Sequence, residues 1–297
     1  MIWLPATLLG GLFQAWRTAV QQRVRAELSV NAAGLVRYLY GFPVACAMFA
    51  LYLIVRHDVV PDHGAGFWVN AALGGLAQIV ATNLLIMAFG FRNYVTGTAY
   101  AKTEAVQGAI LAMIMLGEHL PLLTWLGIGV GVAGVLVLSA GGQRLRLAQV
   151  VQPAALCGLG AGFLFALTSV FIKRATLSIE TPDKVLAALT TLVAVLALQT
   201  LMQGAYVAAR ERDQLARIFT SWRISGQVGL LAAMGSACWF TGFATAPVAL
   251  VRAVGQVEVI FTLGFGHYYL REPLARSEVI GLLTVGAGVA LALIGSF

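Results

Sequence analysis

Charge is what this chain of 297 residues lacks. Only 10% of it is Asp, Glu, Lys or Arg, where a soluble domain carries about 25%. That scarcity excludes a solvated globular surface over most of the length. Cysteine is also scarce, with three residues. Cys46, Cys157 and Cys238 are solitary and lie within apolar runs, so no disulfide or metal-ligand spacing exists. The four histidines, His57, His63, His119 and His267, are far apart and near the ends of such runs. There is no glycine-rich phosphate loop, no nucleophile elbow and no HExxH. A membrane-embedded enzyme would need a clustered metal or nucleophile set, so no catalytic residue, metal or cofactor is expected. The net charge of +7 comes from arginines near the ends of apolar segments, where they face headgroups. It gives no reason to expect nucleic acid as a partner.

Apolar sequence is what there is, at 60% of residues. Hydrophobic stretches of roughly 20 residues recur, each long enough to cross about 30 Å of hydrocarbon. They lie near 2–21, 33–55, 66–90, 94–116, 121–140, 153–173, 184–208, 226–246, 250–270 and 276–296. The first lacks the basic start and small-residue cleavage site of a signal peptide. Alternating strands of about ten residues, the mark of a barrel, are absent, and backbone in lipid must satisfy its own hydrogen bonds. The chain therefore reads as an all-α multi-pass membrane protein with the bilayer as its solvent.

One pattern occurs twice. Leu116, Glu118 and Leu120 match Leu270, Glu272 and Leu274 at an offset of 154 residues. At the same offset Gly127 matches Gly281, Ala133-Gly134-Val135 matches Ala287-Gly288-Val289, and Gly141 matches Gly295. Upstream, Ala99 matches Ala253 and Glu104 matches Glu258. The chain is thus read as two five-helix repeats, 1–145 and 146–297. An odd number of spans inverts the second copy in the bilayer, the architecture used for alternating access about a midplane site. Gly127, Gly131 and Gly134, with Gly281 and Gly288, form small-residue ridges that permit close helix contact. They are read as packing within the chain ahead of a dimer seam, and monomer and homodimer both stay open.

The residues that need explaining are charges inside spans. Lys102 and Glu104 lie in the fourth, Arg252 and Glu258 in the ninth. Each costs roughly 2.5–3.5 kcal/mol at a helix centre, so each is expected to face protein or water. Lys102 and Glu104 point about 200° apart and cannot pair on one face. The offset maps Thr98 to Arg252, Lys102 to Gln256 and Glu104 to Glu258. The four charges sum to zero, which suits two interhelical ion pairs or a site for a zwitterion. Arg252 stands nearer a span end and could snorkel. Gln14, Arg17, Arg37, Gln78, Asn83, Gln199 and Gln203 are further polar residues within spans, Asn83 being the deepest amide. Trp16, Tyr100 and Trp239 could stack on a substrate. The candidate substrate-binding set is Lys102, Glu104, Arg252, Glu258, Asn83, Gln78, Tyr100, Gln256, Trp239 and Trp16. Pro247 reads as a helix break.

The two endings, "LGEHLPLLTWLGIGVGVAGVLVLS" and "LREPLARSEVIGLLTVGAGVALAL", resemble the paired signatures of the drug/metabolite transporter superfamily. Arg37 near the start of the second span, and the segment "AYAKTEAVQGAI", strengthen a likeness to its EamA-like branch. Arg271 stands where that family usually has glycine. The resemblance implies ten helices in two repeats, a site lined mainly by the first, third, fourth, sixth, eighth and ninth, and transport of a small molecule. Its members export amino acids, carry nucleotide sugars or phosphorylated sugars, or expel cationic drugs.

The expected function is therefore a secondary transporter in the inner or plasma membrane, acting on a small zwitterionic metabolite such as an amino acid. Protons are the candidate coupling ion. An exporter of organic cations is the alternative, and a membrane scaffold or receptor that transports nothing is the alternative of another class. Orientation stays open. Loops after odd-numbered spans carry Arg23, Arg25, Arg92, Arg144, Arg146, Arg210, Arg212, Arg217, Arg223, Arg271 and Arg276, and those after even-numbered spans only Arg56, Lys173, Arg174 and Lys184. The positive-inside rule then puts both termini outside, whereas the resemblance implies cytoplasmic termini.

Overall fold

A computed structural model describes residues 2–25, 27–88, 100–139, 152–270 and 276–296. Every described element is a helix. In chain order they are α1 (Trp3–Arg25), α2 (Val30–Leu39), α3 (Gly41–Arg56), α4 (Ala65–Ala88), α5 (Glu104–Leu116), α6 (Leu122–Ser139), α7 (Pro153–Leu177), α8 (Lys184–Arg210), α9 (Arg212–Thr220), α10 (Trp222–Thr245), α11 (Val248–Gly255), α12 (Glu258–Leu270) and α13 (Arg276–Ile294). Five segments are long and apolar enough to cross a bilayer: Val30–Arg56, Ala65–Ala88, Pro153–Leu177, Lys184–Arg210 and Trp222–Thr245. Shorter apolar helices cover Glu104–Leu116, Leu122–Val137 and Val279–Ile294. Ile54, Ile114, Leu122, Leu201 and Leu283 are strongly exposed, as side chains that face lipid are.

Where ten spans are expected, the described residues form thirteen helices, and three of the expected spans are interrupted. The second span is split at Tyr40 into α2 and α3. Pro43 explains this: it has no N–H to donate to the carbonyl of Leu39, and its ring crowds that carbonyl. The ninth span is two helices, α11 and α12, and the described part of the fourth is interrupted before α5. α9 is an additional nine-residue helix. Residues 94–99 of the fourth span, Gly141, Glu272 and Leu274 of the repeated pattern, and Arg271 lie outside the described residues.

The helices pack as two compact units. One comprises Met1–Ile79 and Phe171–Ala246, the other Val80–Val170 and Pro247–Phe297. Each draws on both sequence repeats, and α4 and α7 each contribute to both. In the first unit α1 packs on α10, with Gly10 against Trp239 and Gly235 against Phe13. Pairing an early residue of one helix with a late residue of the other makes these two antiparallel. The junction at Tyr40 is seated on α10: a Cβ on Gly229 would lie 2.4 Å from the Tyr40 Cβ and 2.7 Å from the Gly41 nitrogen. Only glycine permits that approach.

In the second unit α6 and α13 meet backbone to backbone. A Cβ built on Gly127 would lie 2.3 Å from Ala292 N; on Gly134, 2.6 Å from Val285 N; on Gly288, 2.3 Å from Gly131 N; on Gly295, 2.6 Å from Thr124 N. The register is antiparallel, with 124 opposite 295, 127 opposite 292, 131 opposite 288 and 134 opposite 285. The 154-residue offset maps this seam onto itself. Gly134 against Val285 becomes Gly288 against Gly131. Helices that are copies of one another thus run in opposite directions, and the glycine ridges are the surface along which they touch. Ala105, Ala109, Ala249 and Ala253 extend the small-residue packing through a core with Ile128, Val132 and Ala292.

Candidate functional site

The charges stand at two matching breaks. In the first repeat the chain is helical at Tyr100 and Ala101, turns at Lys102 and Thr103, and becomes helical again from Glu104. In the second, α11 ends at Gly255, the chain turns at Gln256 and Val257, and α12 begins at Glu258. Under the 154-residue offset the breaks coincide residue for residue. Each is bridged by the same tightened bond, Thr103 N to Tyr100 O at 3.2 Å and Val257 N to Val254 O at 3.1 Å. In the first copy the Thr103 hydroxyl also donates to Tyr100 O, at 2.6 Å, and so competes for a helical acceptor. Both glutamates open a helix, where the positive end of the dipole favours an anion.

The charges pair across the repeats. Lys102 Nζ donates to Glu258 Oε2 at 2.8 Å. Arg252 Nη1 reaches Glu104 Oε1 at 3.3 Å. Arg252 does not snorkel: it is buried and tied to α7, with Nε donating to Ser169 Oγ at 2.8 Å and Nη2 to the Phe165 carbonyl at 3.0 Å. Its aliphatic stem lies over Gly108 of α5. The Lys102 side chain keeps 23% of its surface exposed, against 8% for Arg252. One pair is therefore anchored from behind and the other is reachable. The helices come this close because Gly162 of α7 abuts the Ala101 carbonyl; a Cβ there would lie 2.9 Å from it.

Gln256, the repeat mate of Lys102, is buried against Gly131, and neither of its amide atoms has a hydrogen-bond partner among the described residues. Tyr100 contributes its carbonyl to the turn. Asn83 sits half-buried on α4 in the same packing unit. The remaining three candidates belong to the other unit. Gln78 is buried, accepts from Gln199 Nε2 at 2.8 Å, and passes its carbonyl to the Tyr38 hydroxyl at 3.5 Å. Gln199 also holds the Gly75 carbonyl at 3.1 Å, so this pair clamps α4 to α8. Trp239 is buried across Gly10 and stacks on Phe243 at 6.0 Å between ring centroids. Trp16 is about half exposed on α1. Among the described residues no cluster of His, Cys, Asp or Glu is arranged to hold a metal ion.

Two participants were not named in the sequence. Ser169 stands with Thr168 as the polar pair inside the apolar run of α7, and that pairing was its signal. Glu118 is the centre of the repeated Leu-x-Glu-x-Leu pattern, which marks the repeat and gives the residue no role. Its carboxylate accepts from the Val248 N–H at 2.9 and 3.2 Å. It thereby caps α11 where Pro247, the preceding residue, has no side-chain group to do so.

Comparison with known proteins accords with this architecture. Residues 1–140 and 152–294 each match the EamA-like transporter family. A crystal structure of another protein aligns with a TM-score of 0.71 at 17% identity, covering 98% of each chain, a likeness of fold alone. No curated protein matches the chain. Two family matches, meeting the two copies that the repeated pattern delimits, make this chain a member of the EamA-like transporter family: a multi-pass membrane transporter of the drug/metabolite type.

Proposed function

We propose that the protein is a secondary carrier of a small zwitterionic metabolite in the inner or plasma membrane, working by alternating access between its inverted repeats. The observation that carries this reading is the neutral pair of ion pairs at the broken fourth and ninth helices. Broken helices are where such carriers bind substrate, near the midplane. A zwitterion brings one charge of each sign, so it can exchange partners with Lys102–Glu258 without leaving a net charge in low dielectric. Lys102, the more accessible of the two cations, receives the carboxylate. Arg252 acts as the fixed counter-charge, since Ser169 and Phe165 already hold it. Of the two glutamates, Glu104 is farther from its cation and is the site for a coupling proton. Glu258 meets the substrate amine. The antiparallel seam of α6 and α13 supports an inverted relation between the repeats.

The test has two arms. Thermal-shift screening of purified protein against metabolite pools finds ligands that bind the folded state. Lys102→Gln should abolish the shift for zwitterions. If organic cations stabilise the protein and zwitterions do not, the carrier is a cation exporter instead. In proteoliposomes, Glu104→Gln should abolish gradient-driven accumulation and preserve substrate exchange. Unchanged pH-dependent uptake in both Glu104→Gln and Glu258→Gln would place coupling elsewhere.

A further inference from the structure

The short helix α9 links two spans, α8 and α10, and its two faces differ. The inner face is fixed to both ends of α2, at Ser29 and Asn31 and at Tyr40. Ile218 is fully buried and its carbonyl accepts from the Tyr40 hydroxyl at 3.1 Å. Gln214 Oε1 accepts the Ser29 N–H at 3.1 Å. The carboxylate of Glu211, the residue that opens α9, takes the Ser29 hydroxyl and, at 2.6 Å, the Asn31 amide. Gln203 of α8 closes the set by donating to the Asn31 carbonyl at 3.1 Å. A nine-residue helix has little stability of its own. These bonds give it a defined position.

What α9 and the adjoining ends of α8 and α10 leave exposed, on both flanks of the inner face, is cationic and aromatic. Arg210, Arg212, Arg217 and Arg223 are all exposed. Phe219 and Trp222 are exposed too, at 61% and 59%. The Arg223 guanidinium lies 5.6 Å from the Trp222 ring centroid. Of the two acidic residues here, Glu211 is engaged inward, and Asp213 accepts from Gln214 at 2.8 Å. Arg212, exposed, gives its Nε to the Ala208 carbonyl at 2.9 Å. The surface is thus a set of guanidinium forks beside apolar rings, on a helix that must lie at the bilayer surface because both neighbours span it. Guanidinium forks match phosphate oxygens two at a time, and amphipathic rings settle at headgroup depth.

We propose that the exposed surface of α9, with Trp222 and Arg223, is a docking surface for the phosphate of an anionic phospholipid. A headgroup held there would bear on α2 and α8 through the Glu211–Ser29–Asn31–Gln203 bonds. Charge complementarity selects anionic over zwitterionic lipid, and the exposed Phe219 and Trp222 select a lipid over a soluble phosphate.

The test uses the purified full chain in detergent, titrated with short-chain phosphatidylglycerol or phosphatidylcholine while its melting temperature is followed. Phosphatidylglycerol should give the larger rise, and added NaCl should shrink it. The double variant Arg217→Gln/Arg223→Gln should lose the difference between lipids, while Arg56→Gln, an exposed arginine elsewhere, should keep it. Should the double variant fail to fold, native mass spectrometry of the unmodified protein decides: retained phosphatidylglycerol should exceed retained phosphatidylcholine and fall with salt. Equal response to both lipids, or a wild-type response in the double variant, would overturn the proposal. So would a full-sized shift from inorganic phosphate alone, which would mark a soluble-anion site, or from polyglutamate alone, which would mark an acidic protein partner.

Discussion

Replacing Gly288 by alanine tests whether the α6–α13 seam is packing. A methyl at that position would sit 2.3 Å from Gly131 N and 2.5 Å from Gly131 Cα. Carbon contacts settle at about 3.5–4.0 Å. The two backbones must therefore part by about 1 Å, and a gap of that size forfeits a quarter to a half of each dispersion contact along the seam. Overpacking costs about 1–3 kcal/mol where side chains can adjust. Here the obstacle is backbone, so the upper end of that range is expected. Gly127→Leu and Gly281→Leu should reduce folded protein more than they alter substrate affinity. Each helix carries its own control. Gly129 on α6 and Gly286 on α13 have nothing within 4 Å of a built Cβ. Alanine there should be neutral or stabilise by up to about 1 kcal/mol through helix propensity. The assay is thermal unfolding followed by fluorescence-detected size exclusion. Equal shifts for Gly288→Ala and Gly286→Ala would refute the argument. Normal stability with lost ligand binding in Gly127→Leu would mean that a ligand surface had been mistaken for packing.

Three further outcomes follow from single contacts. Gln256→Met should raise thermal stability, because it removes buried amide atoms whose lack of partners costs about 1–3 kcal/mol; a lower melting temperature would show that those atoms are satisfied. Glu118→Ala should destabilise by about 0.5–2 kcal/mol through loss of the cap on α11, with faster amide exchange at 248–251, while Glu118→Gln should retain most of the protection. Asp183 caps α8 through the Val185 and Leu186 N–H groups at 2.9 and 3.1 Å. Burial pushes its carboxyl up, but the Tyr52 hydroxyl at 2.7 Å, the two N–H groups and Arg56 outweigh that and hold it below its ordinary value. A lowered carboxylate contributes stability that is full above an unfolded value of about 3.9 and is lost as pH falls through the folded one. Asp183→Ala should therefore cost about 1 kcal/mol at pH 7 and progressively less below pH 4 in chemical unfolding; a constant difference would refute the charge contribution.

Span positions were legible because lipid imposes a simple rule on composition, and α4, α7, α8 and α10 fall close to their expected bounds. The glycine ridges were legible for a similar reason: in so apolar a text, Gly127, Gly134 and Gly288 have few uses other than contact. The charges were readable as residues that need partners, and the 200° between Lys102 and Glu104 implied that each looks to another helix. Which partner each finds was not readable, since that depends on crossing geometry. The breaks at 102–103 and 256–257 carry no proline; they rest on i to i+3 bonds and, in one copy, on a threonine hydroxyl, which periodicity does not register. Pro43 did carry the signal for the helix boundary at Tyr40, but a hydrophobic run of full span length masked it. α9 is too short for its two-faced character to stand out from a loop. Ser169 and Glu118 act through single hydrogen bonds to distant segments, and a lone polar residue says little about such a bond.

The self-mapping seam has a consequence for how this chain can change. Contacts made twice with roles exchanged are isologous, the relation found at the interface of a two-fold homodimer. In such a dimer a substitution arises in both partners at once, so every residue must suit both of its settings. Within one polypeptide that constraint is absent, and the two halves differ at corresponding positions. Gly131, which lets Gln256 lie close, has Val285 as its counterpart. Lys102, charged and reachable, has the buried amide of Gln256 as its counterpart. Glu104 and Glu258 remain identical. The symmetric frame thus holds an asymmetric interior, in which the cation of one half, Lys102, corresponds to an amide, Gln256, and that of the other, Arg252, to a threonine, Thr98.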